Sequence, residues 1–375
     1  MKILFINLPY YGHVVPTLAL TQALTVRGHQ VTYLLPREWK NVLSGTGAHF
    51  CSYEGHPKLD VQIRRAFSAA EAVIDAYDLV IYEQFFFLGR HLAQKHGKPA
   101  VRIFTAPAAN SHIMQQYLSA EGPLHLFESS WACRLYTGKM TRRLGVKLKT
   151  RCWLDEIVEN PPEMNLVCTL KEFQPEAESF PADSFFFIGP SVCDRGESFL
   201  IPGTGPVIYI SLGTIVKGAL PFFQTCIEAF RKEKVRVVMS VGKSFDIHTL
   251  GEVPDHFTVW NFLPQTAVLK QADVFITHAG MNSVSEAMAF GVPMVAVPHM
   301  TDQPLNAQRI TELGLGLQIS PEAVTPEALN QAVRELLTNP VYRENARAFR
   351  QKVLESPGPA GAVRLIEQRF LPEKK

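Results

Sequence analysis

Short apolar runs alternate with stretches of helical spacing from the first residues of the chain onward. Ile3 to Leu8 is a predicted strand, Val14 to Val26 a predicted helix that Gly28 ends, and Val31 to Leu35 a second predicted strand. A strand, a helix and a strand in this order imply parallel strands in one sheet. The runs that extend the same sheet are Leu79 to Tyr82, Val101 to Phe104, Leu166 to Cys168 and Phe185 to Ile188.

The alternation starts again after a stretch rich in Gly, Pro, Ser and charge between Gly189 and Pro206, which has the composition of a linker. The elements predicted beyond it are strand Val207 to Leu212, helix Phe222 to Lys232, strand Val235 to Val241, strand Asp273 to Thr277, helix Asn282 to Phe290 and strand Pro293 to Val297. The sequence therefore predicts an α/β fold of two Rossmann-like, doubly wound domains that face a cleft, with ligands beyond the C-terminal ends of the strands. The expected boundaries are 1–195, a linker at 196–206, and 207–355.

The composition fits two globular cores and argues against a nucleic-acid partner. Of 375 residues, 46% are hydrophobic and 19% are charged, which indicates ample core material and no disorder. The formal net charge is only +2, whereas a nucleic-acid binder usually shows clustered Lys and Arg. The densest basic stretch, Arg142 to Arg151, is interpreted as a solvated surface.

The six cysteines contain no C-x-x-C pair and no accompanying His cluster, so no metal site is expected. Scattered cysteines are typical of buried thiols in a reducing compartment. Pro9, Gly12 and Pro16 interrupt the N-terminal apolar run, which therefore does not resemble a signal peptide. No apolar stretch reaches the ~18 residues that a membrane span needs. We expect a cytoplasmic protein without stable membrane insertion; peripheral membrane contact stays open.

The stretch from Val259 to Arg309 carries the densest set of candidate binding residues. His278 follows a predicted strand, and Gly280 would let a ligand approach the backbone before Asn282 and Ser283 open a helix. Free N–H groups and the helix dipole favour a phosphate at such a point. His278 would add a donor, or a cation when protonated.

Further residues fit the same ligand. Gly213 and Thr214 form a second turn after a strand and suit a phosphate. Glu286, one turn into the helix, suits two ribose hydroxyls, whereas Asp302 and Gln303 suit the hydroxyls of a sugar. Each residue alone has an ordinary structural explanation, such as a strand cap, a helix capping box or a turn. The nucleotide-sugar interpretation depends on their occurring together.

The joint pattern resembles the donor signature of the family 1 UDP-glycosyltransferases of the bacterial macrolide and natural-product type. It consists of H-x-G-x-N-S-x-x-E, with D-Q sixteen residues after the Glu, and an N-terminal G-H-x-x-P also matches. The resemblance thus spans nearly the whole chain. It implies the GT-B fold, with an acceptor-binding first domain, a nucleotide-sugar-binding second domain and a C-terminal helix, here 356–375, that usually crosses back to the first domain.

The resemblance also implies roles for individual donor-site residues. They are diphosphate contacts from Thr214, His278, Asn282 and Ser283, ribose contacts from Gln265 and Glu286, backbone pairing of uracil by Leu263, and sugar contacts from Asp302 and Gln303. Phe262 stands where many family members stack uracil on Trp, and a Phe ring can still stack. UDP and dTDP both stay open as carriers, and Asp302-Gln303 favours a glucose-like sugar.

His13, in the motif G-H-V-V-P, is the candidate general base. It follows the first strand just before a helix, whose N-terminus favours a neutral imidazole, and histidine is the natural base near neutral pH. Capping of the helix is the alternative. In the family a matching His pairs with an Asp, and the matching position here carries Glu83. Glu83 could still stabilise the imidazolium, could misplace the ring through its extra length, or could be an ordinary acid at a strand end.

The candidates for an apolar acceptor wall are Phe85, Phe86, Phe87 and Ile113. Aromatic runs of this kind are also typical of a core. Only about thirty residues separate the Phe50 region from Glu83, where family members carry a longer helical insertion. The first domain therefore looks shortened on its acceptor side.

The sequence therefore predicts an inverting glycosyltransferase that moves a sugar, a hexose such as glucose, from a UDP-sugar to a hydroxyl of a small natural product, in antibiotic biosynthesis or resistance. Without a D-x-D pair, no metal is required, and no cofactor is expected to be permanently bound. A nucleotide-sugar epimerase and a nicotinamide dehydrogenase are disfavoured, the latter because no G-x-G-x-x-G follows the first strand. The alternative is a catalytically weak or inactive auxiliary protein that binds a nucleotide sugar. The oligomeric state is not predicted.

Overall fold

The computed structural model describes residues 1–119, 130–192, 196–213 and 218–371. The chain forms two compact units: the first contains residues 1–193 and 356–375, and the second residues 194–355. Each unit has one sheet of parallel strands, so the α/β fold of two Rossmann-like domains expected from the alternating pattern is confirmed.

Most strands are short runs of Val, Ile, Leu and Phe that are buried on both faces, as expected for parallel sheets covered by helices. The strands of the first unit are β1 (Lys2–Ile6), β2 (Gln30–Pro36), β3 (His49–Tyr53), β4 (Leu79–Glu83), β5 (Ala100–Phe104), β6 (Met164–Val167) and β7 (Phe185–Phe187). Those of the second unit are β8 (Val207–Ser211), β9 (Arg236–Ser240), β10 (Phe257–Trp260), β11 (Val274–Thr277), β12 (Met294–Ala296) and β13 (Gly316–Gln318).

Within the described ranges, α-helices connect most of the strands, with three in succession between β5 and β6 and three more after β13. They are α1 (Tyr11–Val26), α2 (Leu59–Glu71), α3 (Gly89–Lys95), α4 (Ser111–Ser119), α5 (Ser130–Arg142), α6 (Trp153–Glu159), α7 (Leu220–Phe230), α8 (Gln265–Leu269), α9 (Met281–Phe290), α10 (Gln303–Glu312), α11 (Pro326–Thr338), α12 (Pro340–Glu355) and α13 (Gly358–Phe370). Short 3₁₀ segments are Arg37–Leu43, Ile74–Ala76, Ala177–Ser179, Ile247–Leu250 and Pro321–Ala323.

The sheet of the first unit has the order β3-β2-β1-β4-β5-β6-β7. Strand β1 pairs with β2 on one side and β4 on the other, so that Phe5 lies opposite both Tyr33 and Ile81. The strand order therefore reverses between β1 and β4, which is where doubly wound sheets bind ligands. The C-terminal helix α13 belongs to this unit: Ile366 lies in its core, and Glu367 pairs with Arg27 of the loop after α1 at 3.0 Å.

The sheet of the second unit has the order β10-β9-β8-β11-β12-β13. Here the order reverses between β8 and β11, where Ile210 lies opposite Ile276. Helices α7 and α11 pack together and share one core with the strands, and α12 packs on α9. The ends of β8 and β11 are thus the expected ligand position of this unit.

The first helix begins earlier than its apolar spacing indicates. The sequence predicts a turn from Pro9 to Gly12 and a helix from Val14, but the N–H groups of His13 and Val14 both donate to the Tyr10 carbonyl at 2.9 Å. Helix α1 therefore begins at Tyr11. His13 lies inside its first turn rather than just before the helix.

The cysteine prediction is wrong for one pair. Cys133 of α5 and Cys152, which precedes α6, form a disulfide with Cα atoms 5.5 Å apart. Cys168 and Cys226 are buried free thiols, as expected, and Cys51 is a free thiol that is only half-buried. Cys193 lies outside the described residues. The pair escapes sequence analysis because a separation of 19 residues matches no short cysteine motif.

Candidate active site

His13 and Glu83 meet where the strand order of the first unit reverses. Four residues separate the end of β1 from the start of α1, and Glu83 is the last residue of β4. His13 Nδ1 lies 3.1 Å from Glu83 Oε1, within ion-pair distance. The other carboxylate oxygen, Oε2, accepts from the Phe85 N–H at 3.1 Å. The extra methylene of Glu83 therefore does not prevent the pairing.

The environments of the two side chains differ in a way that suits an acid–base pair. The carboxylate of Glu83 is fully buried, whereas the His13 side chain is 23% exposed. Nδ1 faces Glu83, and Nε2 is therefore the ring nitrogen at which an incoming proton would be taken up. A buried carboxylate at this distance orients the ring and stabilises the imidazolium that proton uptake would form.

Aromatic rings flank the imidazole on two sides. The rings of Tyr10 and Phe85 each lie 5.3 Å from the His13 ring, and Tyr10 is exposed. The other acceptor candidates lie in the interior, where Phe87 packs on Trp153 and both Phe86 and Ile113 are fully buried. Of the four predicted wall residues, the structure brings only Phe85 to the histidine.

A buried polar cluster fixes the first turn of α1 on the sheet. Asn7 Nδ2, directly after β1, donates to the His13 carbonyl at 2.9 Å and to the Tyr33 hydroxyl at 2.8 Å. The Thr17 hydroxyl donates to the Val14 carbonyl at 2.7 Å and lies 2.5 Å from the Tyr33 hydroxyl. Because these polar groups are buried, breaking one of the bonds would leave a group unpaired and would cost free energy. The bonds therefore hold the backbone at His13 in place.

His278 occupies a slot between two glycines in the second unit. His278 follows β11. A Cβ atom on Gly213 would lie only 2.6 Å from His278 Cε1, and a Cβ atom on Gly280 would lie only 2.4 Å from His278 Nε2. Real Cβ contacts are never that short, so both glycines are required by the ring itself. Gly280 thus admits the His278 side chain, not only a ligand. Thr214, the other predicted turn residue, lies outside the described residues.

The buried imidazole is neutral at physiological pH. Burial, followed by the nearby His299, lowers the pKa of His278 to about 4. The ring can therefore donate an N–H to an anion, but it adds no positive charge. Helix α9 begins directly beyond it, with Gly280 as its N-cap and Asn282 and Ser283 in the first turn.

The backbone around His278 is strained and held from a distant helix. Ala279 has a left-handed backbone with φ of 60°, which costs a residue with a Cβ about 1–2 kcal/mol. The fully buried Asn306 of α10 donates through Nδ2 to the Ala279 carbonyl at 2.9 Å and to Asp302 Oδ2 at 2.9 Å. One amide thus joins the loops after β11 and β12.

Asp302 and Gln303 begin α10 after β12. Burial raises the pKa of Asp302, although its hydrogen bonds with Thr301 and Asn306 act to lower it. Thr301 itself has φ of 55°. Gln303 Oε1 accepts from the N–H groups of His299 and Met300 at 2.8 and 3.1 Å. The carbonyl oxygen of this side chain therefore stabilises the loop after β12, whereas Nε2 can donate to other groups.

The two predicted ribose ligands are already joined to each other. Gln265 Nε2 donates to Glu286 Oε2 at 2.6 Å and to the Ser283 hydroxyl at 3.3 Å. The buried Tyr209 hydroxyl donates to Gln265 Oε1 at 3.3 Å. Nearby along the chain, Leu263 is buried, whereas the Phe262 ring is 57% exposed. An exposed ring of this kind is available to stack on a base.

Comparison with known proteins identifies the family to which the chain belongs. Residues 234–368 match the family model described as Erythromycin biosynthesis protein CIII-like, C-terminal domain. The chain is 32% identical to the NDP-glycosyltransferase YjiC of Bacillus licheniformis, over 98% of this chain and 97% of that protein. It is 33% identical to the uncharacterized UDP-glucosyltransferase YdhE of Bacillus subtilis, over 94% of each. The chain belongs to the family 1 glycosyltransferases of natural-product type.

Solved structures agree with this assignment. The glycosyltransferase of kitacinnamycin is 29% identical to this glycosyltransferase, with a TM-score of 0.85 over 99% of both chains. The family resemblance and the GT-B fold class predicted from the sequence are therefore confirmed. The protein is an enzyme of glycosyl transfer.

Among the residues that the structure describes, no group of three or more His, Cys, Asp or Glu side chains could hold a metal ion. Over the same ranges, no helix is long and apolar enough to span a membrane.

Several residues of the glycosyltransferase at these sites carry no local sequence signal. They are Asn7, Tyr10, Tyr209, Lys243 and Asn306. The Lys243 ammonium lies 4.9 Å from the centre of the Phe262 ring, on the loop after β9. A strand-end position in a doubly wound sheet is the one general cue that Asn7 and Lys243 share.

Proposed function

We propose that the protein is an inverting glycosyltransferase that moves a hexose such as glucose from a UDP-sugar to a hydroxyl of a small natural product. The observation that carries the proposal is His13 Nδ1 lying 3.1 Å from the buried Glu83 carboxylate while the His13 ring stays partly exposed. This pairing supports a working base and argues against the inactive auxiliary protein. The first unit would bind the acceptor and the second the nucleotide sugar.

The reaction would be a single displacement. His13 Nε2 takes the proton of the acceptor hydroxyl, and Glu83 stabilises the imidazolium that forms. The oxygen attacks the anomeric carbon on the face opposite the nucleotide, so an α-linked donor gives a β-glycoside. The departing diphosphate takes the bonding electron pair, and the N-terminus of α9 together with the neutral His278 N–H stabilises its charge.

The donor assignment rests on the polar groups of the second unit. Gln265 and Glu286 lie 2.6 Å apart, so that one ribose could bond both, and the exposed Phe262 ring suits a pyrimidine. Asp302 and Gln303 would bind the hexose. The relative YdhE is named as a UDP-glucosyltransferase, which supports UDP and glucose, and dTDP is the second candidate carrier. A role in antibiotic biosynthesis or resistance belongs to the same proposal, and so does a cytoplasmic location, against which the Cys133–Cys152 disulfide counts because disulfides are rare in that compartment.

A mass-spectrometric transfer screen tests the proposal. UDP- and dTDP-sugars are incubated with mixed hydroxylated natural products, and His13→Ala is run beside wild type. His96→Ala is the matched control, because His96 Nδ1 also pairs with a carboxylate, Asp75, at 2.8 Å on the same unit. We expect products heavier by one sugar with wild type and His96→Ala, and a loss of at least about 100-fold with His13→Ala.

The outcomes separate the two functions. Unchanged transfer by His13→Ala would refute the role of the base. No product from any donor, together with calorimetric binding of UDP, would favour the auxiliary protein. A proton NMR coupling constant of the product then reports whether the anomeric configuration is inverted. Glu83→Asp restores the family pattern and should retain transfer, whereas Glu83→Ala should lose most of it.

A further inference from the structure

The outward face of helix α5 combines large apolar side chains with positive charge. The inward face packs through the buried Cys133, Thr137 and Met140. On the opposite face, Trp131 and Leu135 are 69% and 56% exposed. They stand four residues apart, which places them one above the other on the helix surface.

Cations surround this apolar pair. The exposed basic residues of α5 and of the segment that follows it are Arg134, Lys139, Arg142, Arg143, Lys147, Lys149 and Arg151. From residue 130 to residue 154 the sequence contains no Asp or Glu. In a chain with a formal net charge of only +2, this segment is therefore a concentrated positive surface.

The fold holds this face rigidly in position. The Cys133–Cys152 disulfide joins the inward side of α5 to the start of α6. The Trp153 N–H donates to the Thr137 hydroxyl at 3.1 Å. Because the inward face is fixed by a covalent bond and by packing, the exposure of Trp131 and Leu135 is a property of the folded unit.

We propose that the outward face of α5 docks on the surface of an anionic phospholipid bilayer. Trp is favoured at the boundary between lipid headgroups and hydrocarbon, and Arg and Lys beside it attract anionic headgroups. A nucleic acid would use the cations but not the exposed Leu135. The binding is peripheral. It goes beyond the proposed transfer reaction and does not depend on it.

Vesicle binding by the full-length protein tests the proposal. The probes are vesicles of phosphatidylcholine alone and vesicles in which about a third of the lipid is phosphatidylglycerol, assayed by co-sedimentation at low and high salt. We expect binding to the anionic vesicles only, weakened by salt. Tryptophan emission should shift to the blue on binding, and Trp131→Phe, which keeps an apolar ring, should lose most of that shift.

Charge reversal provides a matched comparison. Each cation near an anionic surface contributes about fivefold in binding, so Arg134→Glu with Arg142→Glu should weaken vesicle binding by more than about 20-fold. The control reverses two exposed cations of α12, Arg347 and Arg350, and should bind like wild type. Thermal melts check that each variant is folded.

Three results would overturn the proposal. They are no binding of wild type to anionic vesicles, equal loss of binding in the α12 control, and binding to duplex DNA without binding to vesicles. Transfer to a water-soluble acceptor should be unchanged in the α5 variants. A failed vesicle experiment is therefore distinguishable from a failure of the proposed enzyme activity.

Discussion

Replacing Asn306 by Ala should lower the unfolding free energy of the second unit more than the loss of one side-chain amide usually does. Its Nδ2 group makes two bonds of 2.9 Å, one to the Ala279 carbonyl and one to the Asp302 carboxylate, and the side chain is fully buried. A hydrogen bond to a neutral group contributes about 0.5–1.5 kcal/mol and one to a charged group about 1.5–3 kcal/mol. The expected loss of unfolding free energy is therefore about 2–4.5 kcal/mol.

The same substitution, Asn306→Ala, should also weaken binding of the donor, the UDP-sugar. Ala279 has φ of 60°, and once its carbonyl loses the amide, the cost of about 1–2 kcal/mol for that conformation favours relaxation of the loop that carries His278. We expect the KM for the UDP-sugar to rise at least about fivefold, since 1.4 kcal/mol corresponds to tenfold. Asn306→Asp should be at least as harmful, because its oxygens would face two acceptors.

Asn330 provides the control. Its Nδ2 also donates to a carbonyl, that of Ala229, and to a carboxylate, that of Glu233, both at 2.9 Å, but it is only half-buried. Scanning calorimetry with and without UDP identifies the transition of the donor unit as the one that UDP raises. The reasoning is refuted if Asn306→Ala melts like Asn330→Ala and keeps the wild-type KM for the donor.

Three further predictions concern other parts of the molecule. Phe262→Ala should weaken UDP binding about 5- to 100-fold in calorimetry because one stacked base contributes about 1–3 kcal/mol, whereas Phe262→Trp should bind at least as well as wild type. Dithiothreitol should lower the melting temperature of the first unit, since closing a loop of 19 residues stabilises by roughly 3 kcal/mol; the double variant Cys133→Ala, Cys152→Ala should show no response. Burial would raise the pKa of Glu156, but hydrogen bonds with His91 and Thr150 lower it to about 2. The stability that this carboxylate contributes is therefore present above pH 4.5 and should be lost as the pH falls toward 2, and Glu156→Gln should remove that part of an acid titration followed by circular dichroism.

The sequence predicts the fold well where a local pattern carries the information. Runs such as Val207 to Leu212 identify their strands within a residue or two, because buried parallel strands are nearly continuous in Val, Ile and Leu. The sequence analysis predicts none of the strands β3, β10 and β13. His and Ser interrupt the apolar character of β3, and Gly and Gln interrupt that of β13. The start of α1 was missed because Pro9 and Gly12 indicate a turn, although the helical bonds to the Tyr10 carbonyl already begin there.

The same distinction applies to the candidate site, where sequence analysis succeeds only for residues that a local pattern marks. Most candidate donor residues fall within one continuous stretch of sequence, and the structure brings three of them, Gln265, Ser283 and Glu286, together. Asn306 could not be predicted, because its partner Ala279 is 27 residues away and nothing in the sequence marks the left-handed backbone there. The pairing of His13 with Glu83 was predicted through the family resemblance, since a separation of 70 residues carries no local signal.

The two histidines show that residue identity does not determine a chemical role at such a site. Both follow strands at which the order of a doubly wound sheet reverses. His278 is enclosed by Gly213 and Gly280, and burial lowers its pKa to about 4, so it remains a neutral donor. His13 is partly exposed beside a carboxylate at 3.1 Å, which favours the imidazolium formed by proton uptake. Only His13 therefore has an environment suited to a general base, and an Ala substitution of His278 should reduce donor affinity rather than remove proton transfer.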